Sequence, residues 1–252
     1  TFPDQGGFGA YANARIDGFT IEGASTGGGV FANGYARYLE ISNNRIVNNS
    51  GWNGGGIRLG HPDLVAGGPG NQEVIYPPAE NNFVRIHNNY VGQNGGQNDL
   101  VGAGGGVSIC TGSDSYQLTR NYICGNFNQQ EGGGVAHFGL SEGGLIADNL
   151  ILFNESFLQA QTVSGGGLLI TGAPAFGCPV NPLTGVPDPA CLADPTQTLS
   201  PGTGSLTVTR NLILGNAAEG GDGGGIRLNR VNGQDMTGPA NQRHRVDIFN
   251  NI

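Results

Sequence analysis

The residues of this chain that could do chemistry follow six Gly-Gly-Gly motifs, each of which precedes an aliphatic residue. The position after that aliphatic residue is occupied in turn by Phe31, Arg58, Ser108, Ala136, Leu169 and Arg227. None of these is an acid, whereas glycoside hydrolysis needs two carboxyl groups about 5 to 9.5 Å apart. If the motifs stack at about 4.8 Å per repeat, Arg58 and Arg227 are roughly 19 Å apart. We therefore expect these guanidinium groups not to clamp one small ligand.

Acidic residues lie in the turns that precede the motifs, at Asp99, Glu131, Glu219 and Asp222. Asp222 and Arg227 fall in one repeat, where they could form a pair that acts on a ligand, a surface salt bridge, or two solvated charges. The string from Glu219 to Gly225 resembles a calcium-binding glycine-rich repeat, but it occurs once and such sites need tandem copies. We predict no metal and no cofactor, with Ca²⁺ left as an alternative. The candidate binding face comprises Phe31, Arg58, His61, Ser108, Asp222 and Arg227.

The histidines and cysteines form no recognisable metal or nucleophile motif. His137 falls at an inward position of its strand, which predicts a hydrogen-bonded core residue. Spacing such as His-x-x-x-His is absent from the sequence. Cys110 and Cys124 lie at corners separated by a whole strand, roughly 17 Å, and a disulfide needs Cα atoms within about 7 Å. Both are therefore predicted to stay thiols.

A Pro-rich segment between Cys178 and Cys191 predicts a disulfide that closes a loop, with two free thiols as the alternative. Such a bridge would stabilise the fold by roughly 3 kcal/mol. It also predicts an oxidising compartment, and so a secreted or cell-surface protein.

The elements that position these residues follow from a repeated phrase, Ile-x-x-Asn-x-Ile, as in Ile41–Ile46 and Ile146–Ile151. One asparagine column contains Asn44, Asn89, Asn121, Asn149, Asn211 and Asn251, and a second contains Asn49, Asn94, Asn126, Asn154 and Asn216. Asparagine tolerates left-handed backbone and bonds locally to the main chain, so it suits a corner between strands. Stacked corners would place the amides in hydrogen-bonded ladders.

Each repeat is predicted to form one coil of three short strands. The first strand follows Gly-Gly-Gly, the second ends at the first asparagine, and the third runs to the second asparagine. Long inserts at about 60–82, 172–204 and 229–244 leave the first strand, and smaller ones lie at 95–103 and 155–164. Loops gathered on one face of a solenoid typically build a binding surface, although neutral drift in exposed loops is an alternative.

With these columns the chain resembles the right-handed parallel β-helix superfamily, the pectate-lyase-like fold, from Ile16 to Ile252. The resemblance implies an all-β solenoid of about six to seven coils, with loop insertions on one face. It also implies that a catalytic site, if there is one, lies on the first-strand face. The strings that mark polygalacturonases are missing, and Gly60-His61-Pro62 is only a partial match. Many unrelated activities share this scaffold.

Composition excludes two classes of partner. The net charge is −8 and every cationic residue is arginine, which disfavours nucleic acid and a polybasic membrane anchor. No apolar run approaches the roughly 18 residues of a membrane-spanning helix. We expect a single domain over residues 1–252 and a mature or trimmed piece of a longer secreted protein.

Two functions remain open. The first is a non-catalytic extracellular module that is structural or displays a binding face, with a polysaccharide or flanking domains of the same protein as partners. The second is a polysaccharide lyase, glycoside hydrolase or epimerase with its site on the first-strand face. The second requires loop acids such as Asp63, Asp99, Asp222 or Asp235 to converge over the first strand.

Overall fold

Short strands with inward aliphatic side chains wind this chain into a parallel β-helix. A computed structural model describes residues 14–51, 53–60, 65–67, 73–75, 79–96, 103–158, 163–172, 184, 189, 202–233 and 243–252. Twenty-four of its strands form four parallel sheets, which we call A to D, and each coil contributes one strand to a sheet in turn. Seven strands in sheet A and six in sheet D confirm the predicted number of coils.

The strands of the four sheets are short and regular. Sheet A contains β1 (Arg15–Asp17), β4 (Glu40–Ser42), β10 (Arg85–His87), β14 (Gln117–Thr119), β18 (Gly144–Ala147), β22 (Leu206–Thr209) and β26 (Val246–Phe249). Sheet B contains β2 (Thr20–Glu22), β5 (Arg45–Val47), β11 (Tyr90–Gly92), β15 (Tyr122–Cys124), β19 (Leu150–Leu152) and β23 (Leu212–Leu214). Sheet C contains β6 (Ser50–Gly51), β12 (Gly95–Gly96), β16 (Phe127–Asn128), β20 (Glu155–Phe157) and β24 (Ala217–Glu219). Sheet D contains β3 (Val30–Ala32), β7 (Ile57–Leu59), β13 (Val107–Cys110), β17 (Val135–Phe138), β21 (Leu168–Thr171) and β25 (Ile226–Asn229).

Sheet D is the predicted first strand, sheet A the second and sheet B the third. Sheet C was not predicted, because its strands of two or three residues are too short to show a period. It lies between the second asparagine of each coil and the next Gly-Gly-Gly. The described coils therefore have four sides where the sequence predicted three.

The core is made of equivalent aliphatic residues in vertical register. In sheet A, Ile41 pairs with Ile86, and Ile86 pairs with Leu118. These three side chains are at most 1% exposed. Each large aliphatic residue buried in this way contributes roughly 1.5–3 kcal/mol, so stacking between neighbouring coils stabilises the whole solenoid.

Both asparagine columns form the predicted ladders. From Asn89 and Asn94 onward, each side-chain oxygen accepts hydrogen bonds of 2.9–3.1 Å from the backbone N–H and from Nδ2 of the asparagine one coil earlier. The positive φ that the corner needs belongs to the residue before the ladder asparagine, such as Asn43 (φ 54°) before Asn44 and Asp148 (φ 59°) before Asn149. The prediction of left-handed backbone at the ladder residue itself was therefore wrong by one position.

The long inserts leave sheet D and return at sheet A, as predicted. They occupy the connections from β7 to β10, from β21 to β22 and from β25 to β26. The first carries an antiparallel hairpin of β8 (Val65–Gly67) and β9 (Glu73–Ile75).

Candidate functional site

The predicted first-strand column exists as a continuous row along the outer face of sheet D. Its members pair in register in the order Phe31, Arg58, Ser108, Ala136, Leu169 and Arg227. Arg58 and Arg227 are four strands apart in that row, so the prediction that they cannot clamp one small group holds.

The middle of this row is not an open face. Ser108, Ala136 and Leu169 are fully buried, and Ala136 and Leu169 pack with Ala103 and Phe138 in an apolar cluster separate from the main core. The expectation that Ser108 belongs to a ligand-accessible face is therefore wrong. Ala103, directly before one Gly-Gly-Gly motif, packs in this cluster on the outer surface of the sheet and forms a parallel bridge with Glu131. Alternation alone placed these residues outside the coil but could not show that the chain covers them.

One end of the row carries an aromatic–cation contact. The Arg58 guanidinium lies 4.4 Å from the centroid of the Phe31 ring, and Arg58 Nε donates to the Gly60 carbonyl at 3.1 Å. Phe31 is 47% exposed on β3, which is an edge strand of sheet D. This end therefore offers an exposed ring beside a positioned cation.

The other end of the row carries an ion pair between coils. Arg227 Nη1 lies 3.4 Å from Glu131 Oε1 and also donates to Ser164 Oγ. Asp222 is exposed, and its backbone N–H is 3.4 Å from Ser164 Oγ. Of the alternatives considered for Asp222 and Arg227, a direct pair is not formed, because the arginine side chain extends along the sheet to Glu131 and Ser164 of preceding coils.

Glu131 is the chemically distinctive acid of this end. Burial raises its pKa, and the charges of Arg227 and Arg230 offset part of that effect. A carboxyl group with a raised pKa is a candidate proton donor. The described ion pair of Glu131 joins it to Arg227, and the contacts of the described residues assign it no second carboxylate as a partner.

A second acidic cluster lies on the outer face of sheet A, and the sequence reasoning missed it. The Ser42 hydroxyl is 2.7 Å from Asp17 Oδ1 and 3.4 Å from Glu40 Oε1, so these carboxylate oxygens are at most about 6 Å apart. The signal in the sequence is that β4 and β10 carry polar residues on both sides of their inward isoleucine, as in Glu40-Ile41-Ser42.

Hydrogen bonds and cations together lower the pKa of both carboxylates in this sheet A cluster. Glu40 contacts Arg85 Nη2 at 2.8 Å and His87 Nε2 at 3.0 Å, and Arg15 Nη2 lies 3.3 Å from both acids. Burial raises the pKa of Glu40, but the hydrogen bond from His87 and the charges of Arg85 and Arg15 outweigh it and lower the pKa. Hydrogen bonds from Ser42 and Asn43 lower the pKa of Asp17. Because both pKa values are lowered, neither acid retains the proton that the leaving group of a glycoside needs.

The ring faces of exposed aromatic residues on sheet B are also covered by neighbouring side chains. Tyr90 and Tyr122 stack with centroids 5.4 Å apart, and Arg45 lies 6.0 Å from the centroid of the Tyr90 ring. Their common position, directly after a ladder asparagine, is the sequence signal that could have identified this row. Because neighbours cover the ring faces, the row offers little free surface on which a sugar could stack.

The buried polar groups of the core agree with prediction. His137 is fully buried, with Nε2 bonded to the Thr203 carbonyl at 2.8 Å and Nδ1 bonded to the Tyr116 hydroxyl at 2.9 Å. A carbonyl only accepts, so Nε2 carries the proton and the Tyr116 hydroxyl donates to Nδ1. Cys110 and Cys124 are not joined by a disulfide, which confirms that prediction.

Several predicted residues lie outside the described part of the chain. They are His61, Asp63, Asp99, Asp235, Cys178 and Cys191. The disulfide and the convergence of the loop acids thus remain predictions. Within the described ranges, no three acidic, histidine or cysteine side chains could together hold a metal ion. The same residues include no helix long and apolar enough to cross a membrane.

Comparison with known proteins adds no relative to this description. No family model matches the chain, and searches of curated proteins and of solved structures find no match.

Proposed function

We propose that this chain is an extracellular, non-catalytic β-helix module, a rigid support that displays its insert loops toward a polysaccharide. The observation that carries the proposal is that the chemically capable side chains on the described outer faces already contact one another between coils. Glu40 illustrates this, since its carboxylate is occupied by two cations and a histidine. Such a surface stabilises a solenoid and leaves few groups free for turnover.

The distribution of charge supports a ligand without strong negative charge. Among the described residues, at least seven of the eleven arginines form ion pairs with carboxylates. Arg58 is positioned over Phe31 and forms no cluster with other cations of its row. A neutral polysaccharide fits this surface better than a polyanion, which needs a continuous basic stripe.

The exposed end of sheet D supports a place for such a ligand. Phe31 is 47% exposed at the edge strand, with the Arg58 guanidinium over one face of its ring, and the long inserts depart from the same sheet. Aromatic rings beside polar residues suit sugars, which have both apolar ring faces and hydroxyl groups.

A panel of neutral and acidic polysaccharides tests this proposal when it is scored for retention and for new reducing or unsaturated ends. We expect retention of a neutral glycan without cleavage, and we expect Phe31→Ala to weaken that retention. Phe249→Ala is the matched control, because Phe249 is 49% exposed but lies at the end of sheet A. Cleavage of any glycan, or equal effects of both substitutions, would contradict the proposal.

One observation favours the alternative of a polysaccharide lyase, hydrolase or epimerase, namely the raised pKa of Glu131 beside Arg227. If the panel reveals cleavage, Glu131→Gln and Arg227→Ala should abolish it. Asp222→Ala should leave it intact, because Asp222 does not pair with Arg227.

A further inference from the structure

The corner between sheets D and A is short at two consecutive coils. Residues 111–116 and 139–143 connect the sheets there, and they are the shortest connections between described strands of sheets D and A. The connections on either side of them, at 60–84 and 172–205, are the longest. We call the corner surface of the two short coils the recess. The strands β10 and β22, which bound it, are three steps apart in sheet A, or roughly 14 Å at about 4.8 Å per coil, which is sufficient for a sugar ring.

The ring of Phe83 forms one wall of the recess. Tyr38 of the preceding coil stacks on one face of this ring, with centroids 4.9 Å apart and planes 9° apart. The opposite face is directed along the coil axis toward the next coil, in which Ser115 is the equivalent corner residue. Because serine is small, it leaves that face of the ring uncovered, and Phe83 is 45% exposed. Unlike Tyr122 on sheet B, which Leu150 follows at the equivalent position, Phe83 can therefore accept a ligand on its ring.

Phe83 occupies a backbone conformation that suits a smaller residue. Its φ is 61°, and the equivalent positions of the next two coils are Ser115 (φ 55°) and Gly143 (φ 71°). Bulky side chains are disfavoured in left-handed backbone. The fold does not require an aromatic ring at this corner, because serine and glycine make the same turn one and two coils later. An exposed ring at such a position indicates a role other than stability.

Carboxylates line the recess beside the ring. Asp114 is half-buried, its Oδ1 accepts from the Glu142 N–H at 2.8 Å, and no hydrogen bond of the described residues involves its Oδ2. Glu142 lies one coil further, where its carboxylate accepts from the Ser205 N–H at 2.8 Å and contacts His244 Nδ1 at 2.9 Å. The recess therefore combines an aromatic face with an acidic oxygen, held in place by the backbone, that can accept from a hydroxyl group.

We propose that the recess is a binding subsite for a sugar unit of a neutral polysaccharide, which packs on the free face of Phe83 and donates a hydroxyl hydrogen bond to Asp114. A sugar supplies both the apolar ring face and the hydroxyl group that these two residues can bind. The two carboxylates of the recess and the net charge of −8 disfavour an acidic polymer. This inference rests on the proposed function, because it gives the same class of ligand a second contact in addition to Phe31.

The test is Phe83→Gly, assayed for retention on immobilised cellulose, galactomannan and starch and for its melting midpoint. We expect retention to weaken about tenfold, the scale of one lost ring contact. The melting midpoint should change by less than about 2 °C, because relief of the left-handed backbone offsets the lost contact with Tyr38. Phe153→Gly is the matched control, since Phe153 is also exposed (60%) with a positive φ (52°) but lies at the corner between sheets B and C. It should leave retention unchanged.

Asp114→Asn provides a second variant that keeps an oxygen for the Glu142 N–H and removes the charge. We expect it to weaken retention by about three- to tenfold, because hydrogen bonds to a charged group are stronger than those to a neutral amide. Unchanged retention in this variant would overturn the role of Asp114.

The outcomes separate this inference from the proposed function. If Phe31→Ala abolishes retention and Phe83→Gly leaves it unchanged, the recess is not a subsite, while the proposed function stands. A melting midpoint lower by more than about 5 °C in Phe83→Gly, or equal losses of retention in Phe83→Gly and Phe153→Gly, would overturn the inference by showing a structural role. If none of the neutral polysaccharides retains the original chain, both the proposed function and the subsite are wrong.

Discussion

Removal of one amide from the middle of a ladder measures how much the corners stabilise the fold. Asn121 is 2% exposed, and its oxygen accepts from the backbone N–H and Nδ2 of Asn89, both at 3.0 Å. Its Nδ2 donates to the carbonyls of Ile86 and Thr119 and to Asn149 Oδ1. Asn121→Ala therefore leaves a buried N–H and several carbonyl oxygens without their partner.

From these contacts we expect Asn121→Ala to destabilise the protein by about 3–5 kcal/mol, since a net hydrogen bond contributes about 1 kcal/mol and an orphaned buried donor costs about 1–3 kcal/mol. That loss corresponds to a melting midpoint lower by roughly 10 °C in a chain of this size. Urea denaturation followed by circular dichroism measures the free energy of unfolding. Gln117→Ala, on the exposed side of the preceding strand, is the control and should change it by less than about 0.5 kcal/mol. Equal effects of the two substitutions would show that the ladder does not stabilise the corners.

Three further predictions use the same denaturation assay. Burial lowers the pKa of His137 in the folded state. The contribution of neutral His137 to the free energy of unfolding is therefore complete above the unfolded pKa near 6.5, and it decreases as the pH falls below that value, by at most about 1.4 kcal/mol per pH unit. His137→Ile should flatten the dependence of stability on pH between pH 7.5 and 5, and an unchanged slope would count against this. Leu169→Ala should destabilise by about 2–5 kcal/mol because the side chain is fully buried, and an effect near zero would mean that the outer face of sheet D is open. Arg210→Ala, which breaks an exposed ion pair with Asp148, should leave the denaturation midpoint nearly unchanged because solvent screens the pair, and a clear loss would refute the view that this pair is weakly coupled to the fold.

Local repetition allowed much of the fold to be predicted. An inward isoleucine on each side of Asn44 specifies two strands and the corner between them, and the same phrase around Asn149 puts it in register with Asn44. The corners were located to within one residue, because the asparagine amide is the visible signal while the positive φ belongs to Asn43 or Asp148. Sheet C was missed because Ser50–Gly51 and Gly95–Gly96 are too short and too rich in glycine for a periodic pattern.

The candidate site was less predictable, because it depends on contacts between distant segments. Alternation correctly put Ser108 outside the coil, but its burial depends on chain that passes over the sheet. Proximity in sequence suggested that Asp222 pairs with Arg227, yet the guanidinium contacts Glu131 and Ser164 in other coils.

The sequence by itself determined the solenoid, the asparagine ladders, the inward columns and the side from which the loops depart. Each follows from residue types that recur at a fixed spacing. These residues form strands and corners with their neighbours in the chain and stack on the equivalent residues of adjacent coils. Only the tertiary structure decided which outward residues are buried, which charges pair and which ring faces are covered. Those outcomes depend on how far side chains extend from one coil to another. The ion pair of Arg227 with Glu131 joins distant coils, and no spacing along the chain encodes such a contact.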